Sequence, residues 1–521
     1  MTSALVIVSV TPEIGLEELY TYAGGLGVLE GDKFLAAGLR GLDYVVLTLF
    51  YRKGYVDYPL STDPVPMEQQ HPVDPGRVLK REQELVVTLR GEEVVVEPLV
   101  YEKGRAHTVF FNAVHPDWAA RLTERVYIEG SEEERLYKYV LLAKASAKYI
   151  EERIGLGNVE VVDLQEAYSV LVMFALGDQA RYRFITHTPG PWGHPVFPTS
   201  ILREEFGAEL EGDKVVLTLI GFQRAEKSFT VSKKHLEITR KIFPEHADKL
   251  DYITNGVCVE RWMAKPLKDL LGNKKPEETT IDELREKHET LRRALVSLVA
   301  RHKPDIEQWR DKPILVWARR ITRYKRPYFV TRLLRENPDA ANKAFFVLAG
   351  KPHPADKEGQ AFLREFIALS QKEANVAYIP GYDIEKAKTL LSGGDYLLFT
   401  PFSGWEACGT SYMKSMINAV PPISSRDGGA LELVEHRVTG WLFGHDNHDF
   451  IDLGSEEAKR IDEEDFQDFS TTVSEALGAW RSDEYWKIGL NALKKALREA
   501  SALRMLRQYY PWRRELQGCQ R

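Results

Sequence analysis

Short β-branched apolar runs alternate with longer amphipathic stretches along most of the chain. Ala4–Val10, Tyr44–Phe50, Val159–Asp163, Arg183–His187 and Val215–Ile220 read as strands in the first half, and Pro313–Ala318, Ala344–Ala349, Val376–Ile379 and Tyr396–Thr400 in the second. Runs apolar at successive positions belong to strands buried on both faces, and strands separated by helical stretches belong to parallel sheets covered by helices. Leu29–Leu39, Leu136–Ile154 and Ile281–Ala300 carry the helical pattern, the last opening on Thr280-Ile-Asp-Glu283, a capping-box spelling. Ser482–Leu506 is helical and amphipathic too. Between Trp262 and Thr280 the chain turns Lys-, Pro- and Glu-rich without sustained periodicity, as a connector does. These patterns predict an α/β chain with an N-terminal domain over 1–265, a second over 266–490, and a helical segment 491–521. That segment either finishes the second domain or crosses back onto the first.

Composition agrees with two folded domains. The chain has 521 residues, 44% of them hydrophobic and 28% charged, which is ample material for large cores. Seventy basic against seventy-seven acidic residues give a net charge of −7. No global field therefore draws the protein onto nucleic acid or an anionic membrane, and a bound phosphate must meet a local cluster. Cys258, Cys408 and Cys519 lie far apart without CxxC spacing, which argues against a disulfide framework and a thiolate zinc site and for a reducing compartment. No apolar stretch has the length of a membrane span, and the opening residues lack a basic leader and a cleavage site, so the expected location is cytoplasmic.

Several segments carry candidate chemistry. Tyr22-Ala-Gly-Gly-Leu-Gly27 precedes a helical pattern; its glycines either present backbone N–H groups to an anion or permit close helix–strand packing. The densest basic cluster, Arg319-Arg-Ile-Thr-Arg-Tyr-Lys-Arg326, directly follows a predicted strand. There Arg320 and Lys325 can converge on a phosphate in the crevice where open α/β sheets bind ligands. Gly404-Trp-Glu-Ala-Cys-Gly-Thr-Ser-Tyr-Met-Lys414 follows another strand, bringing Glu406, Thr410 and Lys414 near its carboxyl end, and His187 also stands at a strand end. Taken singly, each of these has an ordinary structural explanation.

Taken in order, the segments resemble the α-glucan (glycogen, starch and maltodextrin) phosphorylase family, in a short form. The resemblance rests on Tyr22-Ala-Gly-Gly-Leu-Gly-Val-Leu-Glu-Gly-Asp32 with Tyr51-Arg-Lys-Gly-Tyr55, Thr186-His-Thr-Pro189 with Gly193-His-Pro-Val-Phe197, Ile253-Thr-Asn-Gly256, the 319–326 cluster, Ala349-Gly-Lys-Pro-His-Pro-Ala-Asp356, and Glu406-Ala-Cys-Gly-Thr-Ser-Tyr-Met-Lys414. It implies a GT-B fold, with two Rossmann-like domains whose parallel sheets face a central cleft. It also implies reversible phosphorolysis of an α-1,4-glucan to α-D-glucose 1-phosphate with retention, using pyridoxal 5′-phosphate as a Schiff base on Lys414.

Carried over by motif, Arg319, Thr410 and Ser411 hold the cofactor phosphate. Tyr382, Gly24 and Gly25 join the cofactor contacts, the two glycines through backbone N–H groups that also serve the substrate phosphate. Arg320 and Lys325 hold the inorganic or sugar phosphate and, with His187 and Glu406, make up the catalytic set. Asn255, Cys408, Gly409 and Tyr324 join in reading the substrate. No metal is implied, the partners are α-glucan and phosphate, and the resemblance is compatible with a homodimer. Tyr168 stands where the family has a histidine, Cys408 where it has a serine, and Ser411-Tyr412 where it has a smaller, glycine-containing pair. Two other readings remain: a glycogen-synthase-like GT-B glucosyltransferase using a nucleotide sugar, which would need a second glutamate where Lys414 stands, and a non-catalytic glucan-binding protein.

Overall fold

The computed structural model describes residues 5–272 and 274–517; Ala4 of the first expected strand and Cys519 lie outside them. The chain forms two compact units. One comprises Met1–Tyr55, Glu68–Ile253 and Met505–Arg521, the other Val56–Met67 and Thr254–Arg504. The main division thus falls at 253/254, ahead of 265, and the stretch 491–521 is shared between both units.

The first unit is built on β1 (Val6–Val10), β2 (Tyr44–Leu49), β3 (Leu85–Leu89), β4 (Glu92–Lys103), β5 (Ala106–His115), β6 (Val159–Gln165), β7 (Tyr182–Ile185), β8 (Lys227–Thr230) and β9 (Leu250–Tyr252). Their order across the sheet is β9-β8-β7-β6-β1-β2-β5-β4, with β3 and the short strand Lys80–Arg81 both on β4. From β9 to β5 all pairs are parallel, while β4 and β3 are antiparallel additions. Successive strands run outward from β1 in one direction and from β6 in the other, so a topological switch point lies between β1 and β6, where ligand crevices form. The antiparallel β3–β5 region has no counterpart among the expected strands: Pro98 interrupts β4, and its ends are charged, which masks a strand pattern.

The expected strand Val215–Ile220 is corrected. Only Lys214–Val216 is extended, paired antiparallel with Val196–Pro198 outside the main sheet, and Leu217–Arg224 is a helix. A short apolar run does not by itself distinguish a buried strand from a buried helix. Here the helix brings Gly221 against the Phe184 ring, where a Cβ would lie 2.8 Å from it.

The second unit holds β10 (Ile314–Ala318), β11 (Phe345–Ala349), β12 (Val376–Ile379), β13 (Tyr396–Phe399), β14 (Pro422–Ser425) and β15 (Trp441–Phe443). Their order is β12-β11-β10-β13-β14-β15, all parallel, with the switch point between β10 and β13. The strands β10 and β11 are buried at every position, as their unbroken apolar spelling predicts.

Helices begin where local chemistry tells them to. Thr280 and Glu283 form a reciprocal capping box on Ile281–Ala300. Ser131 caps Glu132–Tyr149, which covers most of the expected Leu136–Ile154 helix before a π-helical turn. The expected connector between Trp262 and Thr280 contains a helix, Lys265–Leu271. Ser482–Leu506 resolves into Asp483–Glu499 and Ala502–Tyr509. Among the described residues no helix is long and apolar enough to cross a membrane.

Candidate active site

In the second unit, the residues singled out by sequence gather where β10 and β13 end, at the switch point. Beyond Ala318 the chain leaves the sheet as Arg319-Arg320, makes a short 3-10 turn at Arg323–Lys325, and passes through Arg326 in a left-handed conformation. Arg326 is spent structurally: its guanidinium, fully buried, meets Asp465 at 2.7 Å and donates to the Thr400 and Pro401 carbonyls. This pins the basic turn against the end of β13.

The neighbouring cations are aimed elsewhere. An Arg319 Nη2 donates to Glu406 Oε2 at 2.6 Å, and Lys325 Nζ lies 3.2 Å from the same oxygen. Burial works to raise the Glu406 pKa, yet the charges of Lys325 and Arg319 prevail and hold it below the ordinary carboxylate range. Burial, with the Arg319 charge next, pushes Lys325 down to about 7. Arg320 is exposed and donates to the Tyr324 hydroxyl at 2.9 Å. The Tyr324 ring stacks on Trp405 with centroids 5.8 Å apart. Tyr382 donates to the Ala318 carbonyl at 3.2 Å, so it too stands at the end of β10.

The late motif wraps closely around this cluster. A Cβ at Gly409 would lie 2.6 Å from the Phe399 ring and 3.2 Å from Arg319 Nη2, so only glycine lets the backbone approach so near. Thr410 precedes the helix Ser411–Met416, which carries Lys414. Lys414 is 7% exposed, and its ammonium sits 4.0 Å over the Trp262 ring. Tyr412 is directed into the core, edge-on to Phe399 and 3.7 Å from Cys408 Sγ. Cys408 is a buried thiol whose pKa burial pushes up to about 12, so it stays protonated. Asn255 donates to the Cys408 carbonyl at 3.1 Å, and its own Oδ1 is buried without a hydrogen-bond partner.

Three more buried polar atoms in this cluster lack partners: Arg319 Nε, Arg319 Nη1 and Ser411 Oγ. Leaving a buried donor unsatisfied costs about 1–3 kcal/mol, more when it is charged. Two idle guanidinium nitrogens on Arg319 and an idle hydroxyl on Ser411, two residues past the Gly409 backbone that Arg319 approaches, are donors of the kind a phosphate accepts from. The residues present therefore fit a phosphate-bearing cofactor, with a buried lysine one helical turn beyond Thr410.

In the first unit, the Gly-rich segment opens a helix, Gly25–Leu39, whose first residue is itself a glycine. Sequence reasoning passed over Glu13, which is 2% exposed at the end of β1. Its Oε2 accepts from the Ala23 N–H at 2.5 Å and, more weakly, from the Gly24 N–H at 3.3 Å; its Oε1 accepts from the Tyr127 hydroxyl. The Gly24 N–H is thus already engaged by a side chain of the protein, while a Cβ at either Gly24 or Gly25 would meet open space. His187 pairs through Nε2 with Gln165 Oε1 at 2.9 Å; burial, with Lys33 next, holds its pKa well below the ordinary value, so the imidazole is neutral.

Beside it, Glu166 follows β6 in a strained backbone conformation, φ 65° and ψ 163°, that non-glycine residues rarely adopt. Its Oε1 accepts from the Thr188 hydroxyl at 2.6 Å, the His187 and Ala167 backbone N–H groups also serve the carboxylate, and burial nevertheless pushes its pKa up to about 7. The signal available in sequence was only its place three residues after the expected strand Val159–Asp163. Tyr168, where the resemblance predicts a histidine, stacks flat on Tyr139 with centroids 3.9 Å apart.

With this geometry in hand, comparison with known proteins is informative. Residues 300–465 match the family model described as Glycosyl transferases group 1. Over 526 residues the chain is 25% identical to a glycogen phosphorylase of Aquifex aeolicus, covering 84% of this chain and 76% of that protein. The chain resembles the glycogen and maltodextrin phosphorylases. A maltodextrin phosphorylase of Thermococcus litoralis is 23% identical over 84% of this chain, and a glycogen phosphorylase of Mycobacterium tuberculosis 26% identical over 80%. The chain spans 62% and 60% of the lengths of those two relatives. The parallel-sheet units, with the glycosyltransferase match on the second, make the fold GT-B in type.

Proposed function

We propose that the chain is an α-1,4-glucan phosphorylase, releasing α-D-glucose 1-phosphate from a glycogen- or maltodextrin-like glucan with retained configuration, and that it uses pyridoxal 5′-phosphate. The observation that carries this reading is the pair of idle nitrogens on the buried Arg319 guanidinium, which lies against the Gly409 backbone of the segment that also bears Ser411, with its own idle hydroxyl, and the buried Lys414. Lys414 would hold the cofactor covalently, with Arg319, Thr410 and Ser411 on its phosphate and Tyr382 alongside. When bound there, pyridoxal 5′-phosphate would supply a phosphate group that exchanges a proton with the substrate phosphate.

Everything else falls to the chain's own residues. Arg320 and Lys325 bind the substrate phosphate, offsetting the repulsion between two anions brought together in a poorly solvated site. Glu406, kept ionised by its cationic neighbours, can accept hydrogen bonds from sugar hydroxyls, and Asn255 offers its idle Oδ1 for the same purpose. Gly409 and the Cys408 backbone shape the floor, and Tyr324 orients Arg320. In the first unit, the neutral His187 is suited to sugar recognition because it can donate or accept without carrying a charge.

The test is borohydride reduction of protein prepared with pyridoxal phosphate, then peptide mapping, followed by an assay of phosphate-dependent glucose 1-phosphate release from maltodextrin. A pyridoxyl adduct on Lys414 together with that release is the expected result. No adduct and no release would sink the reading. A second reading, transfer from a nucleotide sugar, is favoured by the match of residues 300–465 to the group 1 glycosyltransferases. It predicts glucosyl transfer from a nucleotide donor that persists in K414A.

A further inference from the structure

We propose that Gln165 is a positioning residue for His187, the last link of a buried hydrogen-bond chain that fixes the imidazole in its Nε2–H form and leaves Nδ1 to accept from a sugar hydroxyl. The sugar rests on the glucan reading above. The chain and the tautomer rest on bonds within the first unit alone.

The chain starts at an ion pair, which gives it one direction. On the helix Gly25–Leu39, Lys33 donates to Glu30 Oε2 at 2.9 Å, and both side chains are buried. A carboxylate in an ion pair only accepts, so the Tyr44 hydroxyl, 2.6 Å from Glu30 Oε1 at the start of β2, gives its single proton there. Burial, with the Glu30 charge next, holds the Tyr44 pKa well above the ordinary value, so that proton stays in place. Ser9, fully buried on β1, bonds the same phenol oxygen. With the phenol proton already given to Glu30, Ser9 has to donate there, which leaves its own oxygen to accept.

The donor it meets comes from the end of β6. Gln165 Nε2 donates to Ser9 Oγ at 3.1 Å, and Gln165 Oε1 lies 2.9 Å from His187 Nε2. An amide turned the other way would set its oxygen against a serine whose proton is already committed, and would forfeit a buried bond. Gln165 is 1% exposed, so water does not make up the loss. Facing a carbonyl oxygen, His187 Nε2 carries the proton. Burial, with Lys33 and then His235 next, keeps the ring neutral, so its one proton is accounted for and Nδ1 is an acceptor only. Among the described residues Nδ1 makes no hydrogen bond, and the ring is half-buried rather than sealed.

The consequence is specificity. A sugar hydroxyl can donate to Nδ1, whereas a fluorine or a hydrogen in its place cannot, and a polar group left unpaired in a site disfavours the analogue that leaves it so. A donating ring nitrogen would tolerate the fluorine. Gln165 meets no sugar in this arrangement and acts through His187.

Two measurements on the full-length protein test the proposal. With histidine-selective 15N labelling at pH 8, the His187 resonances, assigned by their disappearance in H187A, are expected to show a protonated Nε2 and an unprotonated Nδ1. S9A lets the Gln165 amide take either orientation, so the two tautomers should mix. Y44F, which frees the Ser9 proton to turn toward Gln165, should do the same. A purely structural role for Ser9 or Tyr44 would lower the melting temperature and leave the nitrogen shifts where they were. Calorimetry with glucose 1-phosphate analogues, each hydroxyl replaced in turn by hydrogen or by fluorine, should find one position where both replacements weaken binding about fivefold and where H187A removes the difference.

A protonated Nδ1 in the unsubstituted protein, or tautomers unmoved in both S9A and Y44F, overturns the chain. A position read by His187 at which fluorine binds as well as the hydroxyl overturns the accepting role. The expected tautomer together with no binding of glucose 1-phosphate or maltoheptaose overturns the glucan reading and the sugar role with it, and supports the positioning by Gln165.

Discussion

Lys325 shows most plainly how single residues set the behaviour of the site. Its pKa in the folded protein is about 7 against an ordinary value of 10.5, so free enzyme loses this charge as pH rises through 7. On the proposed reading an arriving phosphate would raise the value again in the complex, which places the effect in KM. We expect the apparent KM for phosphate to climb up to about tenfold per pH unit above 7, and K325R, which stays protonated, to flatten that rise. A KM that is pH-independent in the unsubstituted enzyme would remove Lys325 from phosphate binding. Glu166 has the opposite sign. Between 4.5 and 7 the folded state keeps a proton that the unfolded state releases, so this group's contribution to stability is full below 4.5 and is lost as pH rises through about 7. E166Q should gain about 1–3 kcal/mol at pH 8 relative to pH 4, by denaturant titration at both values; an unaltered pH slope would contradict the shift. The basic cluster and the Lys414 segment were readable as candidates from residue type and from their place after strands, and the structure brings Arg319 and Lys325 onto Glu406. Glu13 and Glu166 were not, because a glutamate in sequence gives no sign that its carboxylate will be buried.

At the scale of elements, local signals decided the outcome wherever they were self-contained. Thr280 and Glu283 fix the start of the Ile281–Ala300 helix by bonding each other's backbone, and its sequence-derived limits match the structure to the residue. Val215–Ile220 failed as a strand because a neighbour distant in sequence, Phe184, decides between two conformations that the apolar run allows equally. The C-terminal helix Ala502–Tyr509 is held by partners equally remote. Asp163 pairs in bidentate fashion with Arg183 at 2.7 and 2.6 Å, accepts from the Tyr510 hydroxyl at 2.6 Å, and Arg183 donates to the Tyr509 carbonyl. D163N would leave the Arg183 charge buried without its counter-ion. The expected loss is about 3–5 kcal/mol in equilibrium unfolding, against about 1 kcal/mol for Y510F. Equal losses from the two variants would show that the ion pair adds nothing beyond the tyrosine bond.

For the whole molecule, the connectivity of the two units carries its own consequence. The second unit includes Val56–Met67, whose Tyr58 hydroxyl donates to the Pro352 carbonyl at 3.3 Å. A fragment of residues 254–504 therefore lacks part of its own unit, and its thermal midpoint should fall below that of the corresponding transition in the intact chain; an equal midpoint would make that segment dispensable. Sequence by itself determined the alternation of strand and helix, the parallel strands of both units and the segments proposed to hold the chemistry, because strand burial and helix capping are written in neighbouring residues. It also placed those segments directly after strands, since strand ends and the residues following them are consecutive. Only the tertiary structure decided strand order, and with it the two switch points, because pairing between β1 and β6 or β10 and β13 depends on residues far apart in the chain. The same holds for charge. Which cations Glu406 would meet, and that Arg319 would keep two nitrogens idle, follow from burial and distance, quantities that exist only once the chain has folded.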